Sequence, residues 1–317
     1  MSAGAAPASC GVWLAAAPVH TLRSGPLTLR FAPAAGGRIV ALESFDAHSG
    51  RQRDWLVPMP AQALRDGFDA HAWPKAGCYP LLPFSNRIRN AAFSWGGRDI
   101  RLVPHPGQPH AMHGLAHARP WQLDSLASTR AALSLRHVPA GLDWPWPFTA
   151  TQELELTPEG LSALMTLRND GNCPMPAGAG FHPFFPRPPG LRVQFSASHL
   201  WPADAGSVAI GRRDIAPEED YRSPRALPPT EWSGYYSGWQ REARLLMPDG
   251  HGLVMRAGMP LEHLVVYAPA GRDFCCIEPV SHVADAINLH QRGFPDTGFQ
   301  QIEPGTTLRF AMQLQIA

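Results

Sequence analysis

Lysine is almost absent: Lys75 is the only one, and arginine carries nearly all of the positive charge. Mechanisms that need a lysine nucleophile or Schiff base therefore have a single candidate. An excess of either charge is missing too, since 27 basic residues face 26 acidic ones for a formal net charge of +1. Nucleic acids and anionic membranes require a basic excess or stripe, so neither is expected as a partner. No apolar run approaches the ~18 residues that span a bilayer. The Ala-rich N-terminus has no basic stretch before it, which argues against a signal peptide. The five cysteines (Cys10, Cys78, Cys173, Cys275 and Cys276) show no C-x-x-C spacing. Adjacent Cys275 and Cys276 would point to opposite faces of a strand, so they are poor partners for each other. All five read as small buried apolar residues in a reducing compartment, which makes the expected location cytoplasmic.

What is present is a globular mixture, with 44% hydrophobic and 17% charged residues. Gly (29) and Pro (34) make up about a fifth of the 317 residues, which leaves little room for long helices. The last eleven residues give the clearest strand. Leu308, Phe310, Met312, Leu314 and Ile316 alternate there with Arg309, Ala311, Gln313 and Gln315. Hairpins are expected from 148–156 with 161–168, turning through Thr157-Pro158-Glu159-Gly160, and from 243–247 with 253–256. Further strands fit 27–31, 38–42, 132–138, 191–197, 263–267 and 273–277. Only 61–68 and 283–290 look able to form a turn or two of helix, and 217–232 reads as a surface loop. Many short strands joined by hairpins predict an all-β chain, a large antiparallel β-sandwich in one domain over 1–317, with 1–26 peripheral.

Four segments gather the polar chemistry. Asn86 and Arg87 are strong hydrogen-bonding groups in a proline-stiffened apolar stretch, where the bland reading is a capped loop. Four histidines, His105, His110, His113 and His117, fall within thirteen residues. Their irregular spacing, without an H-E-x-x-H helix or cysteine partner, favours one functional His among exposed loop residues over a metal site. His182 stands in Gly178-Ala-Gly-Phe-His-Pro-Phe-Phe185, one imidazole inside an apolar wall. A core histidine is the commoner outcome, although Pro183 removes a ladder donor beside it. Glu278 closes the apolar run Cys275-Cys276-Ile277. A carboxylate is expensive to bury there unless paired or used, and burial would raise its pKa into the range of a general base. With no GxSxG elbow, Walker loop or GxGxxG turn, one His and one Glu limit the chemistry to proton transfer. Carbohydrates suit such a site, their hydroxyls matching Asn, Arg and His. Trp144, Trp146 and Trp239 are available to stack on a sugar ring, although most tryptophans belong in the core.

In this order, the segments resemble the aldose 1-epimerase (galactose mutarotase) family. The resemblance rests on Ser85-Asn86-Arg87-Ile88, His113-Gly114, Phe181-His182-Pro183-Phe184-Phe185 and Cys276-Ile277-Glu278-Pro279. Asp285-Ala286-Ile287-Asn288 and Glu303-Pro304-Gly305 match the family's ending. It implies a galactose mutarotase-like β-supersandwich and a cofactor-independent isomerase with no metal. It also implies Glu278 as general base at the anomeric hydroxyl and His182 as general acid at the ring oxygen. Arg87, His113 and Asn86 would bind the sugar. The family also carries an aspartate that grips sugar hydroxyls. Here that stretch reads Glu231-Trp-Ser233-Gly234-Tyr-Tyr-Ser-Gly-Trp239, with Ser233 or Gly234 in its place and Glu231 displaced from it, which opens the identity of the sugar.

Three rivals remain at this level. A hexose-6-phosphate epimerase would need arginines such as Arg89, Arg119 or Arg187 to clamp a phosphate. A carbohydrate-binding protein could keep the fold without turnover. A metal-dependent sugar isomerase would use the His105–His117 cluster.

Overall fold

The computed structural model describes residues 12–316. Two large antiparallel sheets carry the architecture. The eight-stranded sheet runs in the order Gln122–Leu126, Arg130–His137, Phe148–Thr157, Gly160–Asn169, Thr307–Ile316, Gly252–Ala257, Glu242–Leu246, Arg192–Phe195. The eleven-stranded sheet has at its centre Arg38–Asp46, Cys78–Leu81, Gly180–Pro186, Phe274–Val280, His263–Ala268 and Trp232–Ser237, in that order. The helices are short, Ala61–Asp66 and Ala286–Gln291. Among the described residues no helix is long and apolar enough to cross a membrane.

The two sheets differ in pattern because they differ in burial. In the eight-stranded sheet one face meets the core and the other meets water, so its strands alternate. Phe310, Met312 and Leu314 are buried while Gln313 and Gln315 are exposed. The hairpin Phe148–Thr157/Gly160–Asn169 closes with Thr157 opposite Gly160, as its Pro-Glu turn implies. The eleven-stranded sheet is covered on both faces, and its central strands are largely apolar, with Arg38, His182 and Glu278 as buried exceptions. All seven residues of Phe274–Val280 are buried. Leu29, Leu42, Phe181, Ile277 and Cys275 face the eight-stranded sheet in the main core. Val40, Tyr79, Phe184, Val265 and Cys276 face a second cluster roofed by Met59, Phe68, Trp73, Val283 and Leu289. Cys275 and Cys276 thus point to opposite faces. Cys78, Cys173, Cys275 and Cys276 are all free thiols, Cys173 only partly buried, while Cys10 lies outside the described residues.

Glu278, expected at a strand end, sits inside a strand that continues to Val280. Residues 20–24, expected to be peripheral, form a strand paired with Leu27–Ala32, and Leu22 is buried.

Phe310→Ala should lower unfolding free energy by about 3–5 kcal/mol, since it empties space between the sheets. Gln313→Ala on the exposed side of the same strand should change it by less than about 0.5 kcal/mol. Denaturant titration of both variants checks the contrast.

Candidate active site

The second cluster does not fill the covered face of the large sheet completely. A cavity remains, lined by Lys75, Asn86, Arg87, His113, His182, Ser207, Glu231, Ser233 and Glu278 among others. The strands set the central groups. Gly180 pairs with Val280 and Phe184 with Cys276, which brings His182 opposite Glu278. Pro183 and Pro279 donate no ladder hydrogen bond, and the ladder is interrupted between those two points. Directly opposed side chains in a sheet lie close, and His182 Nε2 is 3.5 Å from Glu278 Oε1. Both side chains are almost fully buried, at 7% and 4% exposure. The imidazole packs on two neighbouring rings, Tyr79 at 4.6 Å and Phe184 at 4.7 Å.

Burial sets the protonation of the pair. It raises the Glu278 carboxyl to about 8, against a smaller opposing pull from Arg87. The same desolvation, with the positive charges of Lys75 and Arg38, holds His182 well below the usual imidazole range. At neutral pH the pair carries one proton, on the carboxyl. The charged arrangement, carboxylate and imidazolium, has the same proton count and is reached by moving that proton across the 3.5 Å gap.

Loops supply the remaining groups. Arg87 Nε donates to Gln108 Oε1 at 3.1 Å and Nη1 reaches Asn86 Oδ1 at 3.5 Å. The His113 N–H donates to the Asn86 carbonyl at 2.8 Å, and Met112 pairs with Arg87 in a two-stranded ribbon. Asn86, His113 and Ser207, all lining the cavity, adopt left-handed backbone with φ of 53°, 63° and 57°. Such strain persists only where surrounding structure fixes it. Here the fixing groups are visible. The Ser85 N–H donates to His282 Nε2 at 3.1 Å, while His282 Nδ1 lies 2.8 Å from the Val283 carbonyl and must carry the ring proton. Asp285 N–H donates to the Arg87 carbonyl, and its side chain accepts from the Arg89 N–H and from Asn288. The Asp-Ala-Ile-Asn motif therefore acts by pinning the Asn86–Arg87 loop.

Asn86, Arg87, His113, His182 and Glu278 are thus brought to one cavity. Trp239 is not. It is 1% exposed in the core between the sheets, with its indole N–H on the Glu242 carbonyl. Its place after the buried Tyr235-Tyr236 pair carries it away from the cavity, and it cannot stack on a bound ring. Trp144 and Trp146 are core residues as well. The aromatic surface of the cavity comes instead from Trp73, Tyr235, Tyr267 and Phe274. Glu231, read as displaced, does line the cavity, together with Ser233. The reading of the residues missed Lys75 and Ser207. Lys75 had a signal in being the only lysine; Ser207 had none.

Among the described residues, one set brings three metal-capable atoms together: His182, Cys276 and Glu278, within 4.8 Å of one another. Burial keeps the Cys276 thiol protonated. The His105–His117 run forms no such set. His110 accepts from the Asn90 N–H, His105 lies against the His71 and Pro106 carbonyls, and His113 and His117 pack around Trp73.

A profile described as Aldose 1-epimerase matches residues 24–315. An uncharacterized Escherichia coli K12 protein, YphB, is 28% identical over 309 residues, covering 94% of this chain and 98% of its own. The crystal structure of a putative aldose 1-epimerase from E. coli K12 superposes with a TM-score of 0.82 at 26% identity, covering 95% of this chain and 99% of that one. A GalM/aldose epimerase homologue from C. elegans gives 0.80 at 16% identity, covering 95% and 99%, a likeness of fold.

Gly114, next to His113, has φ 68°, and a Cβ there would lie 2.0 Å from the Leu82 carbonyl oxygen. Gly114→Ala should therefore lower stability by about 2 kcal/mol or more and weaken ligand binding as the His113 loop shifts. Thermal melts with and without sugar test both effects.

Proposed function

Since this chain belongs to the aldose 1-epimerase family, we propose that it interconverts the α and β anomers of an aldose in the cytoplasm, by acid/base ring opening and closure. The observation that carries this reading is the buried His182–Glu278 pair, 3.5 Å apart and facing a cavity lined by Arg87, His113 and Asn86. In its ionised form Glu278 takes the proton from the anomeric hydroxyl, and His182 delivers one to the ring oxygen as the C1–O5 bond breaks. Rotation about C1–C2 turns the aldehyde. The carboxyl then returns its proton to O1 while His182 recovers one from the O5 hydroxyl. No net proton enters or leaves, and each transfer contributes about 10²–10⁴ in rate. Arg87, His113 and Asn86 hold the hydroxyls, and Glu231 with Ser233 offers acceptors where the family has its aspartate.

Polarimetry on freshly dissolved α-D-glucose, α-D-galactose and other aldoses, with EDTA present, is the direct test. Wild type should accelerate the decay of rotation, and Glu278→Gln should abolish it while sugar affinity stays within a few-fold. Binding without acceleration would favour a carbohydrate-binding protein. Activity should hold near neutrality and fall as pH rises through about 8, where the pair loses its proton from Glu278. Stability runs in the same direction. A carboxyl whose pKa is raised on folding favours the native state less as pH climbs from the ordinary carboxylate range toward 8.

A second reading, a sugar phosphate as substrate, is favoured by one residue. Arg89 is engaged by Asp204 and Asp285, Arg119 by Asp143, and Arg187 by backbone carbonyls. Lys75 instead lines the cavity, 3.7 Å over the Trp73 ring, with no carboxylate within 4 Å among the described residues. If phosphate is bound there, Lys75→Met should slow mutarotation of glucose 6-phosphate at least tenfold more than that of glucose. Equal effects on both sugars would remove this reading.

A further inference from the structure

Arg38 opens one of the central strands, Arg38–Asp46, and is completely buried. None of its three guanidinium nitrogens has a hydrogen-bond partner, and no carboxylate lies within 4 Å of it among the described residues. A charge taken out of water without a counterion costs several kcal/mol, and an apolar residue of similar size commonly does as well or better. The position of Arg38 explains what that cost sustains. Ile39 pairs with Cys78, which sets Arg38 beside Tyr79; Tyr79 pairs with His182; and His182 stands opposite Glu278. Four neighbouring strands thus present one transverse row on the covered face: cation, phenol ring, imidazole, carboxyl. The spacings along it match the interstrand distance. The Arg38 Cζ is 4.4 Å from the Tyr79 ring centre, and the Tyr79 ring centre is 4.6 Å from that of His182. Phe68 flanks the guanidinium at 5.4 Å, so among the described residues its partners are two ring faces.

We propose that Arg38 is a positioning residue for the acid/base pair, a fixed cation at the end of this row that disfavours protonation of His182 and so keeps the shared proton on Glu278 until substrate arrives. The inference rests on the acid/base reading of His182 and Glu278. It also accounts for Tyr79, whose ring faces the cation on one side and packs the imidazole on the other. Other groups face His182 as well. Cys276 and Glu278 do so from the next strand, Tyr79 from the strand on the other side, His113 and His117 from the loop above, and Lys75 from the cavity rim. Among these, Lys75 is the other cation, and its effect on His182 ranks ahead of that of Arg38. Burial lowers the pKa of Lys75 itself to about 8, so its charge fades over the upper part of the titration while that of Arg38 persists. Cys276 and Tyr79 stay protonated through the neutral range and contribute no charge. At two interstrand spacings, a buried charge shifts a titration by about one pH unit.

The test is NMR titration of the His182 imidazole between about pH 4 and 9 in wild type, Arg38→Met and Arg38→Lys, alongside mutarotation profiles and thermal melts. Arg38→Met is expected to stay folded, with a melting temperature no lower than wild type. Its His182 titration should move up by about one pH unit, and the acid limb of the activity profile should follow. Arg38→Lys should leave both near their wild-type positions. An unchanged His182 titration in folded Arg38→Met would overturn the proposal. Should Arg38→Met unfold, Arg38→Gln takes its place; unfolding of both would show that the arginine serves the fold, and the proposal would fall. The imidazole titration needs no turnover, so absence of mutarotation would sink the acid/base reading and leave the electrostatic inference to be decided by NMR.

Discussion

Covering both faces of one sheet is the constraint on which the rest of this structure depends. A half-exposed sheet would leave His182 and Glu278 in water, with ordinary titration and little mutual influence. Here the roof of Met59, Phe68, Trp73 and Val283 turns the second face into an interior. Desolvation then pushes the carboxyl up and the imidazole down, so a shared proton that in water would sit on the imidazole settles on the carboxyl. The same covering calls for largely apolar central strands, against which the buried Arg38, His182 and Glu278 stand out. It also lets an unpaired arginine exert its charge over two strands instead of losing it to solvent.

Positional accuracy comes from two different sources. The pair at the centre is fixed by strand register, the most rigid device available to a β protein. The groups around it lie on loops, whose unfavourable left-handed residues Asn86 and His113 are joined by a backbone hydrogen bond, while the flanking Ser85 and Arg87 are tied to the His282 ring and the Asp285 N–H. His282 directly follows Ser281, whose hydroxyl accepts from the Ala179 N–H. One short stretch after Glu278 therefore braces both the His182 strand and the Arg87 loop.

Much of this was legible in the residues. Alternation marked Thr307–Ile316, and turn chemistry marked the hairpin at Pro158-Glu159. A charge inside an apolar run marked Glu278. The same rule marks Arg38 in Gly-Gly-Arg-Ile-Val-Ala-Leu, although a long arginine side chain commonly reaches solvent from such a position. Trp239 was misplaced for a related reason. A tryptophan beside glycine is equally compatible with a sugar platform and with a core, and only the register of Trp232–Ser237 decides which. Ser207 and Glu231 reach the cavity through tertiary packing of loops far apart in sequence, which no local pattern encodes.

The cross-strand row also says something about descent. His182 and Glu278 sit on strands whose register cannot slip without inverting every face, whereas Lys75, Ser207 and Glu231 sit on the connections between strands or just before one. Insertions and substitutions accumulate in connections and are resisted in the ladder. On the acid/base reading, a lineage built on this plan could exchange one sugar for another by editing its loops, generation after generation, while the buried pair is inherited unchanged.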